Sequence, residues 1–293
     1  MKIKFNTIAI CSSKKNKQIT SIADQCCEVL DSLNVKVLLN ENLVEVKNRS
    51  NCKKANNQNL KKVDLMIVIG GDGSILGFAR QYGSMGIPLL GINLGNLGFL
   101  ADIAPENLTS CLREIIHGKF VRDKRFFLEA QLNNKKTTNM ALNEIVIHSG
   151  AIAKLLEFEL FINKKFVYRQ RADGLIINSP TGSTAYSLSG GGPIVHPDVN
   201  AITLLPMFPH SISTSPLLVK DSSQIEIRIV GNKNKSILSM DSHDSLTLKI
   251  GDIISIRKSK SQLTLIHPKD HDFFSACRNK LGWSSSIALS KDS

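Results

Sequence analysis

A change in hydrophobic pattern near residue 125 limits the folds that this chain can adopt. Before it, apolar runs such as Val63–Ile69 alternate with segments such as Ser21–Leu33, whose apolar residues recur at helical spacing. This alternation predicts a doubly wound parallel sheet with helices between its strands. After it, strand-like runs follow one another with few helical patterns between them, which predicts an all-β region, either a sandwich or a folded-over sheet.

The pattern therefore predicts an α/β domain at residues 1–125 and an all-β domain at residues 126–267. The tail at 268–293 has apolar residues at helical spacing, so we expect it to pack back on the first domain. The Asn/Lys-rich segment 40–62 is weakly patterned and is predicted to be a surface excursion.

Individual elements follow from the same periodicities. The predicted helices are Ser21–Leu33, Ile75–Tyr82 and Pro105–His117. The predicted strands of the first domain are Lys4–Ile10, Val35–Leu39, Val63–Ile69 and Pro88–Ile92. The predicted strands of the second domain are Phe126–Leu132, Met140–Ile147, Lys154–Ile162, Lys165–Ala172, Leu175–Ile177, Ala201–Leu205, Gln224–Val230, Ser236–Met240, Ser245–Ile250, Asp252–Lys258 and Leu263–His267.

Charge and cysteine content narrow the class of protein. The formal net charge is +12, which suits a nucleic-acid binder, a Lys-rich surface or a protein whose ligands are polyanionic nucleotides. The positive residues are spread along the chain without aromatic-interleaved basic motifs, so we expect no nucleic-acid partner. No apolar run approaches the roughly 20 residues of a membrane span, and no secretory signal is evident. Scattered cysteines without a CxxC pair fit a reducing cytoplasm.

The segment Asp173–Pro197 has the composition of a ligand-binding loop. After Asn178 almost every side chain is small or carries a hydroxyl, and Tyr186 is the only aromatic residue. Such a run buries little apolar area and packs poorly. It suits a polar ligand, because backbone N–H groups come close, hydroxyls donate and accept, and one ring can stack.

The sequence Gly-Gly-Asp-Gly-Ser at 70–74 follows a buried strand and opens a helix. Glycines let the backbone approach phosphates, and a helix N-terminus favours anions. The segment matches neither the P-loop nor the GxGxxG pattern. Asp72 has two interpretations: a general base that accepts a proton from an attacking hydroxyl, or a cap for the helix that follows.

Three further places have a functional and a structural interpretation. Asn93–Gly98 is either a phosphate- or sugar-facing loop or a plain turn. Asn143 and Glu144 suit ribose hydroxyls, although a solvated surface pair is favoured on sequence alone. Arg171 and Asp173 fall on one face of a strand, where they predict either a salt bridge or contacts with a phosphate and a nucleobase.

Taken together, these motifs resemble bacterial NAD kinases over nearly the whole chain, from residue 4 to residue 283. Short loops like GGDG also occur in lipid kinases and phosphofructokinases, so the resemblance depends on the ordered set. In order, the motifs are GGDGS at 70–74, NLGNLGFL at 93–100, Asn143-Glu144, RADG at 171–174, PTGSTAYSLS at 180–189, MFPH at 207–210 and LIHPKD at 265–270.

The resemblance implies a two-domain protein with a Rossmann-like N-terminal domain that binds nucleotides and a C-terminal β-sandwich that binds the dinucleotide. It implies ATP-dependent phosphorylation of the adenosine-ribose 2′-hydroxyl of NAD, which makes NADP, with Mg²⁺ as the expected divalent cation. It also implies a cytoplasmic homo-oligomer with neither a membrane nor a nucleic acid as partner.

Residue roles also follow from the resemblance. Asp72 is the expected general base, and Gly73 brings the backbone close to the phosphates. The expected contacts with the dinucleotide or its hydroxyls are Asn143, Glu144, Lys154, Arg171, Asp173, Thr184, Ala185, Tyr186, Ser187, Leu188 and Ser189. An arginine at the position of Arg171 accompanies a preference for ATP over polyphosphate in this family. No residue is assigned as a protein ligand of the metal.

Two positions depart from the family pattern. His243 stands in Asp241-Ser242-His243 where the family often has Gln, and Ser215 stands before Pro216 where the family often has Arg. These departures bear on affinity or regulation. Two other classes remain open: a kinase of the same superfamily that acts on a lipid or sugar, and a non-catalytic nucleotide-binding regulator. The first would need a membrane-docking stretch or a sugar-phosphate motif, and the presence of Asp72 disfavours the second.

Overall fold

The computed structural model describes residues 3–43, 45–46, 51–95, 98–135, 139–150, 155–210, 215–232 and 235–283. The chain forms two compact units. Unit 1 comprises Met1–Lys124 and Leu263–Ser293, and unit 2 comprises Arg125–Gln262. None of the helices among the described residues is both long and apolar enough to cross a bilayer.

The elements are numbered in chain order. The helices are α1 (Lys17–Ser32), α2 (Asn57–Leu60), α3 (Asp72–Tyr82), α4 (Leu108–Ile116), α5 (Tyr186–Ser189) and α6 (Phe273–Leu281). The strands are β1 (Thr7–Cys11), β2 (Lys36–Leu39), β3 (Cys52–Lys54), β4 (Leu65–Ile69), β5 (Leu89–Ile92), β6 (Phe120–Leu132), β7 (Asn139–Ala141), β8 (Glu144–His148), β9 (Leu156–Ile162), β10 (Lys165–Ala172), β11 (Gly174–Asn178), β12 (Ala201–Met207), β13 (Leu217–Lys220), β14 (Ile225–Asn232), β15 (Ser236–Met240), β16 (Asp244–Leu248) and β17 (Ile253–Pro268).

Unit 1 is built on a parallel sheet in the order β3-β2-β1-β4-β5, with the end of β17 parallel to β5. The apolar run of β4 is buried at all five residues, as a central strand covered on both faces requires. The chain leaves β1 toward β2 on one side and places β4 on the other. The carboxyl ends of β1 and β4 therefore form a topological switch point, where ligands of open α/β sheets bind.

Helix α1 shows why the flanking helices form where they do. The Asn16 side chain accepts a hydrogen bond from the Ile19 N–H and satisfies one of the free donors at the helix start. One face of α1 buries Ile22, Cys26 and Leu30 against the sheet. The resulting core includes side chains from the strands and from α4, such as Ile115.

Unit 2 is a β-sandwich. One sheet has the antiparallel order β13-β12-β11-β8-β15-β16, and the other contains β10, β9, β14 and the first part of β17, with β6 and β7 beside it. A single core joins side chains of both sheets, such as Ile145 and Ile177 from the first and Phe158 and Ile227 from the second.

The predicted combination of a parallel α/β sheet and an all-β sandwich is confirmed. Three local predictions were wrong. The predicted strands at 252–258 and 263–267 are one 16-residue strand, β17, and the predicted strand at 140–147 is broken into β7 and β8. The segment at 40–62, expected to be a surface excursion, contributes the edge strand β3 and the short helix α2.

Candidate active site

Asp72 lies at the switch point of the unit 1 sheet, directly after β4, and is the first residue of α3. Its carboxylate accepts three consecutive backbone N–H groups, from Phe99 at 3.0 Å, Leu100 at 3.0 Å and Ala101 at 3.2 Å. The N-cap of α3 is Gly71, and no side chain caps this helix. The interpretation of Asp72 as a helix cap is therefore wrong, because its carboxylate is turned to the loop that follows β5.

The loop after β5 brings the second glycine-containing motif to the first. A Cβ at Gly98 would collide with the Asp72 carboxylate, so only glycine permits this approach. The Asn93 side chain, which is buried, accepts from Gly95 N–H at 3.0 Å and donates to the Ala101 carbonyl at 3.3 Å. Residues 96 and 97 lie outside the described residues. The described part of the motif at 93–100 thus supplies backbone N–H groups that bind the Asp72 carboxylate. The interpretation of this motif as a plain turn does not account for these contacts.

A lysine ammonium also contacts the Asp72 carboxylate. Lys280, in the last turn of α6, places its Nζ 2.8 Å from Asp72 Oδ2 and 4.9 Å from the centre of the Phe99 ring. Both charged side chains are about one-third exposed or less, at 27 % for Asp72 and 30 % for Lys280. The Ser74 hydroxyl lies 2.8 Å from the Ser13 hydroxyl, so the segments that follow β1 and β4 are also in contact here.

The residue after this loop, Asp102, joins two stacked histidines. Its Oδ2 lies 2.8 Å from His267 Nδ1 and 2.7 Å from His271 Nδ1. His267 is fully buried, and its Nε2 lies 3.5 Å from Asp123 Oδ2. Burial disfavours the charge of His267, but its hydrogen bond to Asp102 and the nearby carboxylate of Asp123 raise its pKa. Burial likewise opposes ionisation of Asp102, yet hydrogen bonds from both histidines lower its carboxyl pKa.

The ligand atoms of Asp102, His267 and His271 are close enough together for a metal ion. The two imidazole rings are stacked, however, with centroids 3.8 Å apart and planes 16° apart. Lone pairs of nearly parallel rings do not converge on one ion at about 2 Å, the usual metal–nitrogen distance. The geometry instead fits imidazole N–H groups of His267 and His271 that donate to one oxygen of Asp102. These hydrogen bonds connect the residue after the loop at 99–101 to the segment just before α6.

Unit 2 contains a second carboxylate that accepts three consecutive backbone N–H groups. Asp241 receives hydrogen bonds from Leu142 at 2.8 Å, Asn143 at 2.8 Å and Glu144 at 3.1 Å. Asp241 is buried and has a positive φ of 47°, which a non-glycine residue rarely adopts. The turn between β15 and β16 therefore fixes the backbone at the start of β8.

Glu144 is only 3 % exposed, and Asn143 is 9 % exposed. The favoured interpretation of these residues as a solvated surface pair is therefore wrong. Burial, and to a lesser degree the nearby Asp241, raises the pKa of Glu144 to about 7, although the Tyr186 backbone N–H opposes this shift. Its register partner on β11 is Asn178.

Three buried polar atoms in this part of unit 2 have no hydrogen-bond partner among the described residues: Glu144 Oε2, Asn178 Oδ1 and Ser187 Oγ. Unsatisfied buried acceptors and donors cost free energy, so they mark a place where a polar ligand is expected to bind. Asn178 was not among the candidates from sequence, and its register opposite Glu144 is the signal that identifies it.

The small-residue segment folds against Asn143. A Cβ at Gly182 would collide with the Asn143 carbonyl, and the Ser179 N–H donates to that carbonyl at 2.9 Å. The remaining predicted contacts lie on the short turn and helix that follow: Thr184, Ala185, Tyr186, Ser187, Leu188 and Ser189. The Tyr186 side chain is 43 % exposed, so its ring is available for stacking.

Other predicted residues are placed differently. Arg171 makes its ion pair with Glu157, its register partner on β9, at 3.3 Å, so the predicted salt bridge had the wrong partner. The backbone N–H of Asp173 donates to the Met207 carbonyl at 2.9 Å. Gly73 lies in the first turn of α3, and a Cβ there would meet open space. Lys154 lies outside the described residues.

Lys280 and the anchoring role of Asp241 were also missed. Lys280 is 208 residues from Asp72 in sequence, and no local motif connects them. Asp241 was noted only because its neighbour His243 departs from a family pattern. The Nδ1 of His243 lies 2.7 Å from the Asp241 carbonyl, so this histidine stabilises the same turn.

Family comparisons agree with this arrangement. Residues 7–120 match the ATP-NAD kinase N-terminal domain, and residues 142–268 match the ATP-NAD kinase C-terminal domain. The chain is 42 % identical over 271 residues to an NAD kinase of Teredinibacter turnerae, covering 91 % of this chain and 90 % of that protein. It is 45 % identical over 257 residues to an NAD kinase of Saccharophagus degradans, covering 86 % and 87 %.

Two solved structures share the fold. Yeast NADH kinase complexed with NADH has a TM-score of 0.85 at 29 % identity, covering 98 % of this chain and 90 % of that one. An NAD kinase from Archaeoglobus fulgidus in complex with ATP has a TM-score of 0.73 at 26 % identity, covering 96 % and 99 %.

Proposed function

The chain belongs to the NAD kinase family, and from this premise we propose that Asp72 is the general base of an ATP-dependent NAD kinase. The observation that carries the proposal is the position of Asp72 at the switch point, with its carboxylate held by three backbone N–H groups. These donors fix the direction of the carboxylate, and positioning of this kind is the main contribution of a protein to phosphoryl transfer.

In the proposed reaction the 2′-hydroxyl of the NAD adenosine ribose gives its proton to the Asp72 carboxylate. The 2′-oxygen forms a bond to the γ-phosphorus of ATP, while the bond from that phosphorus to the β,γ-bridging oxygen breaks. The products are NADP and ADP, and the proton on Asp72 is later released to solvent.

A divalent cation is proposed to arrive with ATP as part of the substrate. Mg²⁺ keeps several waters and binds through substrate phosphates with one or two carboxylates, so it needs no cage of protein ligands. Within the described ranges, the one cluster with metal-like spacing is the Asp102 group, whose stacked rings fit hydrogen bonding better. The cation would neutralise charge on the transferring phosphate.

The dinucleotide is proposed to bind along the Asn143–Glu144 strand start and the segment 184–189. The unpartnered atoms Glu144 Oε2, Asn178 Oδ1 and Ser187 Oγ support this proposal, since ribose hydroxyls both donate and accept. Tyr186 would stack on a ring of the ligand.

Lys154, Arg171, Asp173 and Gly73 keep the roles that the family resemblance implies. The Arg171 side chain is 66 % exposed and its Nη2 contacts Glu157 at 3.3 Å, and this exposure supports its proposed contact with a phosphate. We also propose that the enzyme works in the cytoplasm as a homo-oligomer.

The test is a coupled assay for NADP formation from NAD, ATP and Mg²⁺, with inorganic polyphosphate as a parallel donor. We expect NADP with ATP and none with polyphosphate. NADP formed equally from both donors would remove the inference about Arg171 and leave the kinase. No NADP from protein shown to be folded by circular dichroism would overturn the proposed function.

A further inference from the structure

The Asp72 carboxylate has no acceptor position left for a substrate. An ionised carboxylate offers about four acceptor positions on its two oxygens. Here Oδ1 accepts from Leu100 and Ala101, and Oδ2 accepts from Phe99 and Lys280. A general base must lie within hydrogen-bond reach of the proton that it takes. One of the four donors must therefore leave before Asp72 can act.

Three of these donors are fixed. They are backbone N–H groups of one loop, which is closed by a 2.7 Å hydrogen bond from the Gly98 N–H to the Ala101 carbonyl. The Phe99 ring packs against the Phe273 ring at the start of α6, with the ring centroids 6.2 Å apart, and both residues are partly buried. Releasing a backbone donor would require this loop to refold.

Lys280 is the donor that can move. Its ammonium is at the end of a flexible four-carbon stem, and the side chain is 30 % exposed. The backbone of α6 stays in place because it is packed through Phe273 and capped by Asp272, whose carboxylate accepts from Phe274 and Ser275. Rotation of the Lys280 side chain alone therefore frees one acceptor position on Oδ2, while the Phe99 N–H stays bound to the same oxygen.

The ammonium needs another anion when it leaves Asp72. The proposed reaction supplies one, because the γ-phosphate of ATP must come within bonding distance of the hydroxyl that Asp72 deprotonates. A lysine on the transferring phosphate forms charge-assisted hydrogen bonds and stabilises the charge of the transition state. The Lys280 side chain can thus move from the Asp72 carboxylate to the γ-phosphate of ATP.

We propose that Lys280 holds Asp72 in the free enzyme and transfers to the γ-phosphate when ATP binds, which frees Asp72 Oδ2 for the 2′-hydroxyl. This inference rests on the proposed role of Asp72 as the base. Lys280 keeps its three protons throughout and forms no covalent bond. It prevents Asp72 from accepting a proton until the donor nucleotide is present.

A double-mutant cycle on nucleotide binding tests the exchange without turnover. The probe is the ATP analogue with an imido group between the β- and γ-phosphorus atoms, with Mg²⁺, titrated by calorimetry into wild type, Asp72→Asn, Lys280→Met and the double variant. In wild type the nucleotide must break the ion pair to bind, and Asp72→Asn removes that cost. The tightening of binding caused by Asp72→Asn should therefore be about fivefold larger when Lys280 is present than in the Lys280→Met background, as expected for a partly exposed pair.

Direct repulsion between Asp72 and the phosphates would tighten binding to the same extent with and without the lysine. Equal ratios would therefore overturn the proposal, whereas a larger ratio in the presence of Lys280 supports it. If Lys280→Met does not fold, as judged by circular dichroism, Lys280→Gln removes the charge and keeps a polar side chain, and the same cycle applies.

Kinetics separate the exchange from a purely structural role. Lys280→Met should raise the KM for ATP about tenfold and leave the KM for NAD within twofold, while Lys280→Arg restores most of the loss, as expected for a phosphate contact. Equal changes in both KM values would contradict the proposal. Absence of NADP formation by the wild-type enzyme would instead refute the proposed function, and the binding cycle would still report on the ion pair.

Discussion

Asp72 in unit 1 and Asp241 in unit 2 use the same local device in opposite settings. Each carboxylate accepts three consecutive backbone N–H groups, at 99–101 for Asp72 and at 142–144 for Asp241. Asp241 is buried, while Asp72 is 27 % exposed and has a movable lysine on its second oxygen.

The difference shows what exposure and a movable partner add to a carboxylate. A buried carboxylate that accepts three backbone N–H groups stabilises the fold. A partly exposed one with a side-chain donor can exchange that donor for a substrate. Asp241 therefore positions Asn143 and Glu144 at the start of β8, and Asp72 is suited to proton transfer.

The largest expected effect separates activity from stability at Asp72. Asp72→Asn should lower kcat for NADP formation by about 10³-fold, since loss of a general base typically costs 10²–10⁴. The free energy of unfolding should change by no more than about 1 kcal/mol, because the N–H that is left facing the new amide group lies at a partly exposed site, unlike the buried site of Asp241. Steady-state assays and urea denaturation measure the two quantities. A loss of stability that matches the loss of activity would make Asp72 a structural residue.

The reverse is expected at Asp241. Asp241→Asn leaves at least one buried N–H facing an amide group, so the unfolding free energy should fall by about 3 kcal/mol. Hydrogen exchange of peptides from residues 125–262 should locate the loss near 142–144. Asp198→Asn, at a side chain that is 88 % exposed, is the matched control and should be neutral. An Asp241→Asn protein as stable as this control would contradict the comparison.

Glu144 makes the stability of unit 2 dependent on pH. Its pKa is raised to about 7 in the folded state, so the folded protein retains a proton that the unfolded chain loses near its ordinary value of 4.5. The resulting stabilisation is present below pH 4.5 and is lost as the pH rises toward 7, by up to about 3 kcal/mol in total. Glu144→Gln should flatten this slope in hydrogen-exchange measurements between pH 5 and pH 8. An unchanged slope would exclude Glu144 as its source.

The smallest expected effect concerns the Asp102 cluster. The raised pKa of His267 contributes stability that is present below about pH 6.5 and is lost as the pH rises through the folded-state value. The lowered pKa of Asp102 contributes stability present above about pH 3.8 and lost as the pH falls. Peptides covering 98–102 and 265–273 should therefore be better protected at pH 6 than at pH 8. His267→Gln should remove that difference, whereas His117→Gln, at the half-buried C-cap of α4 in the same unit, should not.

Features defined by adjacent residues could be predicted from sequence. The buried run of β4, the glycines around Asp72 and the small-residue segment after Asn178 each combine a strand pattern with a loop composition that few structures accommodate. The parallel sheet and the choice of Asp72 as a candidate follow from them, and the succession of strand runs after residue 125 predicts the sandwich. The long strand β17 could not be predicted as one piece, because the polar run Lys258–Gln262 interrupts its hydrophobic pattern while Ser259 is buried.

Features that depend on distant residues could not be predicted. Glu144 is buried because both faces of β8 are covered, and the sequence of this strand does not reveal that cover. The contact between Lys280 and Asp72 joins residues 208 positions apart. The role of Asp241 depends on a left-handed turn that non-glycine residues rarely adopt. These contacts follow from tertiary packing, which determines how each carboxylate is used.

The most direct test of the account is the rate of the chemical step in Asp72→Asn. A rapid-quench single-turnover experiment would follow phosphoryl transfer from ATP to NAD, with both substrates at concentrations shown by calorimetry to saturate the variant. The account requires that the variant binds both substrates no more weakly than the wild-type enzyme does, with a transfer rate about 10³-fold lower. A transfer rate within a few-fold of wild type would show that Asp72 does not remove the proton from the 2′-hydroxyl.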